Sequence, residues 1–210
     1  MANVLILGGN GAIARLVTAN LTANADNHVT LYLRNADRVS DLVNAQVTAV
    51  TGDVLDESAL TTAMANQDIV FVSMGATGTV KLTETVIAAM QAAGVARVIS
   101  VNDLGIYDEV PGKFGEWNKQ MIGKGAQVGK ASDDALVASN LDYTTLRLAW
   151  LNNRDNTDYE LTQKGDPFKG TSVSRKSVAA VVTKIIADPT FASRASIGID
   201  QPGTDGDTPM

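Results

Sequence analysis

Val4-Leu5-Ile6-Leu7-Gly8-Gly9-Asn10-Gly11-Ala12-Ile13-Ala14 decides the fold. An apolar run of strand length empties into Gly9-x-Gly11-x-x-Ala14, and Ile13, Leu16, Val17 and Leu21 follow at helical spacing. A strand that turns through glycines into a helix gathers free backbone N–H groups and the positive helix end at one point, which suits a dinucleotide pyrophosphate. In this reading Gly9 permits the tight turn, Gly11 lets the backbone approach the phosphates, and the small Ala14 lets helix pack closely on strand. Gly8, Gly9, Asn10, Gly11, Ala12 and Ile13 are the expected cradle. Glycine-rich turns are common, so the weight rests on the motif's place at the first strand-to-helix junction of the chain.

Strands and helices alternate outward from that junction. His28 to Leu33 and Gln46 to Thr51 read as strands two and three, Asp56 caps a helix carrying Leu60 and Met64, and Asp68 to Met74 is a continuous apolar strand of the doubly buried kind. Val80, Leu82, Val86, Ile87 and Met90 line a helix stopped by Gly94, and Arg97 to Val101 is strand five. Ser132 to Ser139 reads as helix and Tyr143 to Leu148 as strand six. Ser174 caps a helix carrying Val178, Val181, Val182, Ile185 and Ile186, before a short strand at Ile197 to Ile199. This order predicts an α/β fold, a doubly wound Rossmann-type parallel sheet with right-handed crossovers and helices on both faces. Ligands bind such sheets at the carboxyl ends of the strands. Asn102 to Gly125 and Leu151 to Thr171 look least regular and follow strands on that edge, so they are the expected substrate loops.

The 210 residues, without repeats or a linker-like tract, read as one domain, 1–210. A net charge of −6 argues against an electrostatic grip on nucleic acid or an anionic membrane. Any anionic ligand must be held locally. The lack of cysteine excludes disulfides, thiol nucleophiles and Cys-based metal sites, and no metal site is expected. His28, at the amino end of its strand, reads as structural. The start shows neither a basic leader nor a cleavage pattern, and no apolar run is long enough to span a bilayer, so a cytoplasmic protein is expected.

Strand two ends in Leu33-Arg34-Asn35, where a site selective for NAD(H) would carry an acid for the ribose 2′-hydroxyl. Arg34 falls where a guanidinium can pair with a 2′-phosphate, with Arg15 or Arg38 as helpers, so NADP(H) is favoured over NAD(H). The competing reading of Arg34 is a solvated surface arginine.

VLILGGNGAIA, LYLRNADRV, TGDVLD, FVSMGATG, RVISVNDLGIYDEVPG, SNLDYTTLRLAWL and VSRKSVAAVV stand in this order along nearly the whole chain. On these motifs the sequence resembles the atypical short-chain dehydrogenase/reductases, in the NmrA-like, NAD(P)H-binding branch that includes flavin reductases of the biliverdin reductase B type. The resemblance implies that Asp53 and Val54 meet the adenine. It also implies that Ser73, Met74 and Gly75 pass beside the adenine ribose and that Val101 and Asn102 approach the nicotinamide ribose. Read without it, Asp53 is a turn or cap residue.

Ketone-reducing members of that group use a Tyr-x-x-x-Lys pair with a serine, the tyrosine donating a proton as hydride arrives. No Tyr-x-x-x-Lys occurs here: Tyr143 is followed at the fourth position by Arg147, and Lys124 and Lys130 lack tyrosine partners. Asn102 and Asp103 occupy the usual serine positions, and Tyr107 is a spatial substitute for the missing tyrosine or a loop-packing residue. Asp103 reads equally as an acid or a helix cap, and Lys130 as a solvated lysine. These leave Asn102, Asp103 and Tyr107 as weak catalytic candidates. Hydride transfer without the pair suits an acceptor that needs little acid help, such as a flavin or quinone. Phe114, Trp117, Trp150, Tyr159 and Phe168, in or beside the two loops, can stack such a planar acceptor, or serve as loop anchors or contacts in a homo-oligomer. The alternative is a redox-sensing regulatory protein that binds NADP(H) without turnover. Sugar-nucleotide epimerase chemistry is disfavoured, since it needs the tyrosine and a larger substrate domain.

Overall fold

Asn3–Leu7 forms strand β1, and past its first residue it is fully buried because both its faces are covered. Val4 and Ile6 enter one core cluster, Leu5 and Leu7 the other, as the period-two geometry of a strand dictates. The computed structural model describes residues 2–75 and 79–210, so Ala76 to Gly78 of the FVSMGATG motif lie outside the described residues. After β1 come α1 (Ala12–Thr22), β2 (His28–Leu33), β3 (Val47–Thr51), α2 (Glu57–Ala63), β4 (Ile69–Val72), α3 (Lys81–Ala93) and β5 (Arg97–Asp103). The chain continues through α4 (Gly112–Ile122), α5 (Gly125–Ala138), β6 (Asp142–Leu148), β7 (Trp150–Asn152), β8 (Glu160–Thr162), β9 (Ser172–Ser174), α6 (Arg175–Ala187) and β10 (Ala195–Asp200).

Eight strands make one sheet in the order β3-β2-β1-β4-β5-β6-β10-β8, all parallel except β8 at the edge, while β7 and β9 pair separately. Ile13, Val17 and Leu21 of α1 and the Val178–Ile186 stripe of α6 cover one face. Leu60 of α2, Val86 and Met90 of α3, and Leu136 of α5 cover the other. This is the expected doubly wound single domain. The strand order reverses between β1 and β4, and a crevice opens at such a switch point.

The predicted caps are present: the Asp56 side chain accepts from the Ala59 N–H, Ser174 accepts from Ser177, and Gly94 ends α3 in the left-handed region. His28 is exposed at the amino end of β2. No helix among the described residues is long and apolar enough to cross a membrane.

The two expected loops are more regular than the sequence suggested. Asn102 to Gly125 contains α4, whose Phe114, Gly115 and Asn118 turn inward, and α5 begins at Gly125 rather than Ser132. Leu151 to Thr171 contains β8, and its start belongs to β7. Sparse apolar spacing hid α4, and three-residue strands carry too short a pattern to be seen.

Candidate functional site

Two chambers lie along the carboxyl edge of the sheet and share Gly11. One, of about 580 Å³, is bounded by the turn after β1, Tyr32 to Asn35 after β2, Gly52 to Leu55 after β3, and Met74. The other, of about 520 Å³, is bounded by Gly11 to Ile13, Ser73, Gly75, Val101 to Leu104, and Leu148 to Leu151, with Ile122 and Arg175. We call them the Arg34 chamber and the Trp150 chamber.

Between them stands the amino end of α1. Gly11 is its cap, no side chain among the described residues caps its first amides, and its first turn holds no acid. Exposed donors and an uncompensated positive end make an anion site. The left-handed residue of the turn is Gly8 (φ 80°), not Gly9 as the motif suggested. A Cβ at Gly8 would meet Met74 Cγ at 2.6 Å. Gly9 instead packs against Leu31, and Gly8 N donates to the Tyr32 carbonyl at 3.0 Å, which ties the cradle to β2.

In the Arg34 chamber, Arg34 and Arg38 are exposed, and neither has a carboxylate partner among the described residues. Arg15, expected as a helper, is already engaged: Nη1 binds Asp41 at 2.7 Å, and Nε and Nη2 hold the Asn10 side chain. It therefore orients the cradle and is not free for a phosphate. Tyr32 is buried and donates through its hydroxyl to the Asp53 carbonyl at 3.1 Å. Burial, with Asp56 and Asp53 nearby, holds that phenol above its usual range. Asp53 both lines the chamber and turns the chain, its Oδ1 accepting from Leu55 N, and Val54 is buried beside it. Met74 lines this chamber while Ser73 and Gly75 line the other.

In the Trp150 chamber, Val101, Asn102 and Asp103 come together at the end of β5. Both polar ends of Asn102 are engaged: Nδ2 donates to Gly129 O at 2.8 Å and Oδ1 accepts from Asp103 N at 2.9 Å. Asp103 is the only carboxyl among the described residues lining this chamber, and burial pushes its pKa up. It caps no helix of the described residues, being the last residue of β5.

Tyr107 lies outside the chamber lining. Its hydroxyl donates to Asp133 and accepts from Lys164 Nζ at 2.9 Å. Desolvation first, then the Asp133 hydrogen bond, raises its pKa far above the ordinary phenol range. Lys130, half-exposed, pairs with Asp134 at 2.6 Å, and its nitrogen stands 5.7 Å from the Tyr107 ring centre.

Of the five aromatic residues expected to face an acceptor, only Trp150 lines the chamber. Phe114 and Phe168 are core residues, Tyr159 packs on the core, and Trp117 stands between Phe114 and Trp150, its ring 4.9 Å from that of Trp150. Asn118 accepts from the Trp150 indole N–H at 2.9 Å and fixes its ring. Phe114 and Trp117 pack inward because α4 is a helix with a buried face, and Tyr159 and Phe168 join the same core from the later segment.

Beneath the site lies a pair that the sequence reading missed. Arg147 of β6 and Glu109, with side chains 0% and 2% exposed, meet at 2.6 Å. Glu109 also accepts from the amides of Gly105 and Tyr107, and Arg147 donates to the Thr162 and Ser196 carbonyls. The pair thus latches the segment after β5 onto the sheet. An arginine inside the apolar strand Thr145-Leu146-Arg147-Leu148 was its signal, since a buried charge demands a partner.

Residues 8–189 match the model of the family described as NAD(P)H-binding. A Rossmann-fold NAD(P)-binding family protein from Shigella flexneri is 42% identical, with a TM-score of 0.86, covering 100% of this chain and 98% of that one. A wide-type short-chain dehydrogenase/reductase from Veillonella parvula DSM 2008, solved in complex with NADP, is 34% identical, with a TM-score of 0.92 and coverage of 99% and 98%. An anaerobillin reductase from Escherichia coli O157:H7 shares the fold at 23% identity, with a TM-score of 0.82 and coverage of 97% and 99%. No protein of curated function matches the chain.

Proposed function

This chain belongs to the NAD(P)H-binding family, and we propose that it is an NADPH-dependent reductase of a flat, conjugated acceptor, flavin-like by preference. The observation that carries the reading is the pair of chambers joined at an uncapped helix end, with unpaired arginines at one extreme and Trp150 with Asp103 at the other. Bound NADPH supplies a hydride, which with one proton converts an oxidised flavin or quinone to its dihydro form and leaves NADP+.

The residues present fit that cofactor. The amides of Ala12 and Ile13 receive the pyrophosphate, Tyr32, Asp53 and Val54 border the adenosine, and Arg34 with Arg38 holds the 2′-phosphate. Trp150, held by Asn118, offers an aromatic surface beside the acceptor. Asp103, the one carboxyl among the described residues lining this chamber, is the group placed to pass a proton to the reduced ring, and burial shifts its pKa toward that role. Within the family we place the chain in the NmrA-like branch, beside flavin reductases of the biliverdin reductase B type. The ordered motifs and the missing Tyr-x-x-x-Lys pair support that placement.

The test is loss of reduced-nicotinamide absorbance when the protein meets NADPH and FMN, riboflavin or menadione, against a protein-free blank. Turnover above the blank is expected. The second reading, an NADP(H) sensor without turnover, is favoured by the engagement of both Tyr107 and Asn102 in internal hydrogen bonds. NADPH binding with no turnover across the panel would replace the reductase by the sensor.

A further inference from the structure

Arg175 opens α6 and is half-buried in the wall of the Trp150 chamber. Its Nη1 donates to the Asn153 side-chain oxygen at 2.8 Å, which fixes the guanidinium without neutralising it. No carboxylate pairs with it among the described residues. Its neighbour Lys176 takes Asp155 at 2.5 Å, and Arg15, Arg97 and Arg147 have Asp41, Asp142 and Glu109. Asp103, on the same chamber, makes no ion pair with it.

A chamber whose wall joins apolar Val101, Leu104, Leu148 and Ala149 to Ser73, Asn102 and Asp103 thus carries one oriented cation with no carboxylate partner among the described residues. A guanidinium already oriented by a neutral partner gains most from an anion that its planar fork can grip at two points. We propose that Arg175 is the specificity residue of the acceptor site and that the acceptor bears an anionic group, a phosphate or a carboxylate, beside its planar ring. This inference rests on the reductase reading and narrows its substrate class. Together with Arg34 and Arg38, it makes the cleft one that recognises negative charge at both ends and apolar planes near Trp150.

FMN and riboflavin share one ring and differ by a phosphate, so they isolate the term. Titration of the NADP+-loaded protein, followed by flavin fluorescence quenching, reads binding without turnover. Wild type is expected to bind FMN at least about tenfold more tightly than riboflavin, one charge-assisted contact's worth. Arg175→Ala is expected to erase that preference, Arg175→Lys to keep part of it, and both to leave NADP+ affinity within about threefold. Anthraquinone-2-carboxylate against its 2-hydroxymethyl analogue repeats the comparison for a carboxylate and separates the two anion classes. Circular dichroism confirms that each variant is folded.

Equal affinity of wild type for charged and neutral partners, or binding of neither, overturns the proposal. So does a loss of NADP+ affinity in Arg175→Ala as large as the loss for FMN, which would assign Arg175 to the cofactor pyrophosphate. Preference for FMN without NADPH oxidation would instead sink the reductase reading and leave the anion site standing.

Discussion

The Arg34 chamber is lined entirely from residues 8–82, mostly at and just after strand ends, whereas the Trp150 chamber gathers its lining from positions between 11 and 175. The first is made of turns and backbone: Gly8 in the left-handed region, Asp53 bonding its own turn, and Tyr32 braced on the Asp53 carbonyl. The second depends on contacts between distant segments. Glu109 pins one loop to Arg147, the Glu109 carbonyl accepts from Phe168 N at 2.7 Å, and Asn118 of α4 orients Trp150 after β6. A cofactor half can be carried by local motifs because a nucleotide presents the same phosphates wherever it binds. An acceptor half must be shaped to one substrate, and long-range packing provides that shape.

The contrast is broken most directly at Glu109. Glu109→Ala leaves Arg147 buried without a counterion and is expected to cost about 3–5 kcal/mol in urea unfolding. Glu109→Gln, which keeps a hydrogen-bond acceptor, should cost less. A loss under about 1 kcal/mol would mean the latch carries little of the Trp150 chamber.

On the other side, Gly52→Ala places a Cβ 2.1 Å from the Tyr32 hydroxyl oxygen, and that ring is fully buried. We expect about 1–3 kcal/mol of destabilisation together with weaker NADPH binding. Unchanged NADPH affinity would detach Tyr32 from the cofactor half.

Arg34→Asp sharpens the comparison without touching the fold, since Arg34 is exposed. Calorimetry should find NADPH weakened about 10- to 100-fold and NADH within about threefold of wild type. Equal losses for both would remove Arg34 from 2′-phosphate recognition.

The smallest effect belongs to Asp103→Asn. Burial raises the Asp103 pKa above its unfolded value, so the folded protein binds that proton more tightly than the unfolded chain does. Its contribution to stability is therefore lost as pH rises from the ordinary carboxylate range through the raised value. The asparagine variant should melt a few degrees higher than wild type at neutral pH, with the gap closing in acid. If Asp103 supplies the proton as proposed, the variant should also remove the fall in turnover with rising pH that titration of this carboxyl imposes. A lower melting temperature at neutral pH would contradict the desolvation account.

The same contrast explains what could be read from residues alone. β1, α1, β2 and the caps Asp56 and Ser174 were legible because period, cap and strand chemistry lie within a few positions of each other. The place of Arg34 just after β2 was legible too, but β5 runs on to Asp103 where the sequence suggested an end at Val101. Gly8 was passed over for Gly9 because the motif fixes glycine spacing and not the φ of each glycine. For Tyr107 and the aromatic set the sequence left two roles open, for a different reason. Their roles depend on Asp133, Lys164 and the buried face of α4, partners no local pattern reveals. Arg147 is the exception, a charge within an apolar strand that announces a hidden partner without saying which one.

We propose that one cleft grips NADPH through the α1 amides and reads its extra phosphate at Arg34 and Arg38. Isothermal titration of the wild-type protein with NADPH and then NADH decides this. Saturable binding of NADPH at micromolar concentration is expected, with NADH weaker by about tenfold or more. Binding of neither nucleotide at about a millimolar, or indistinguishable affinities for the two, would contradict it.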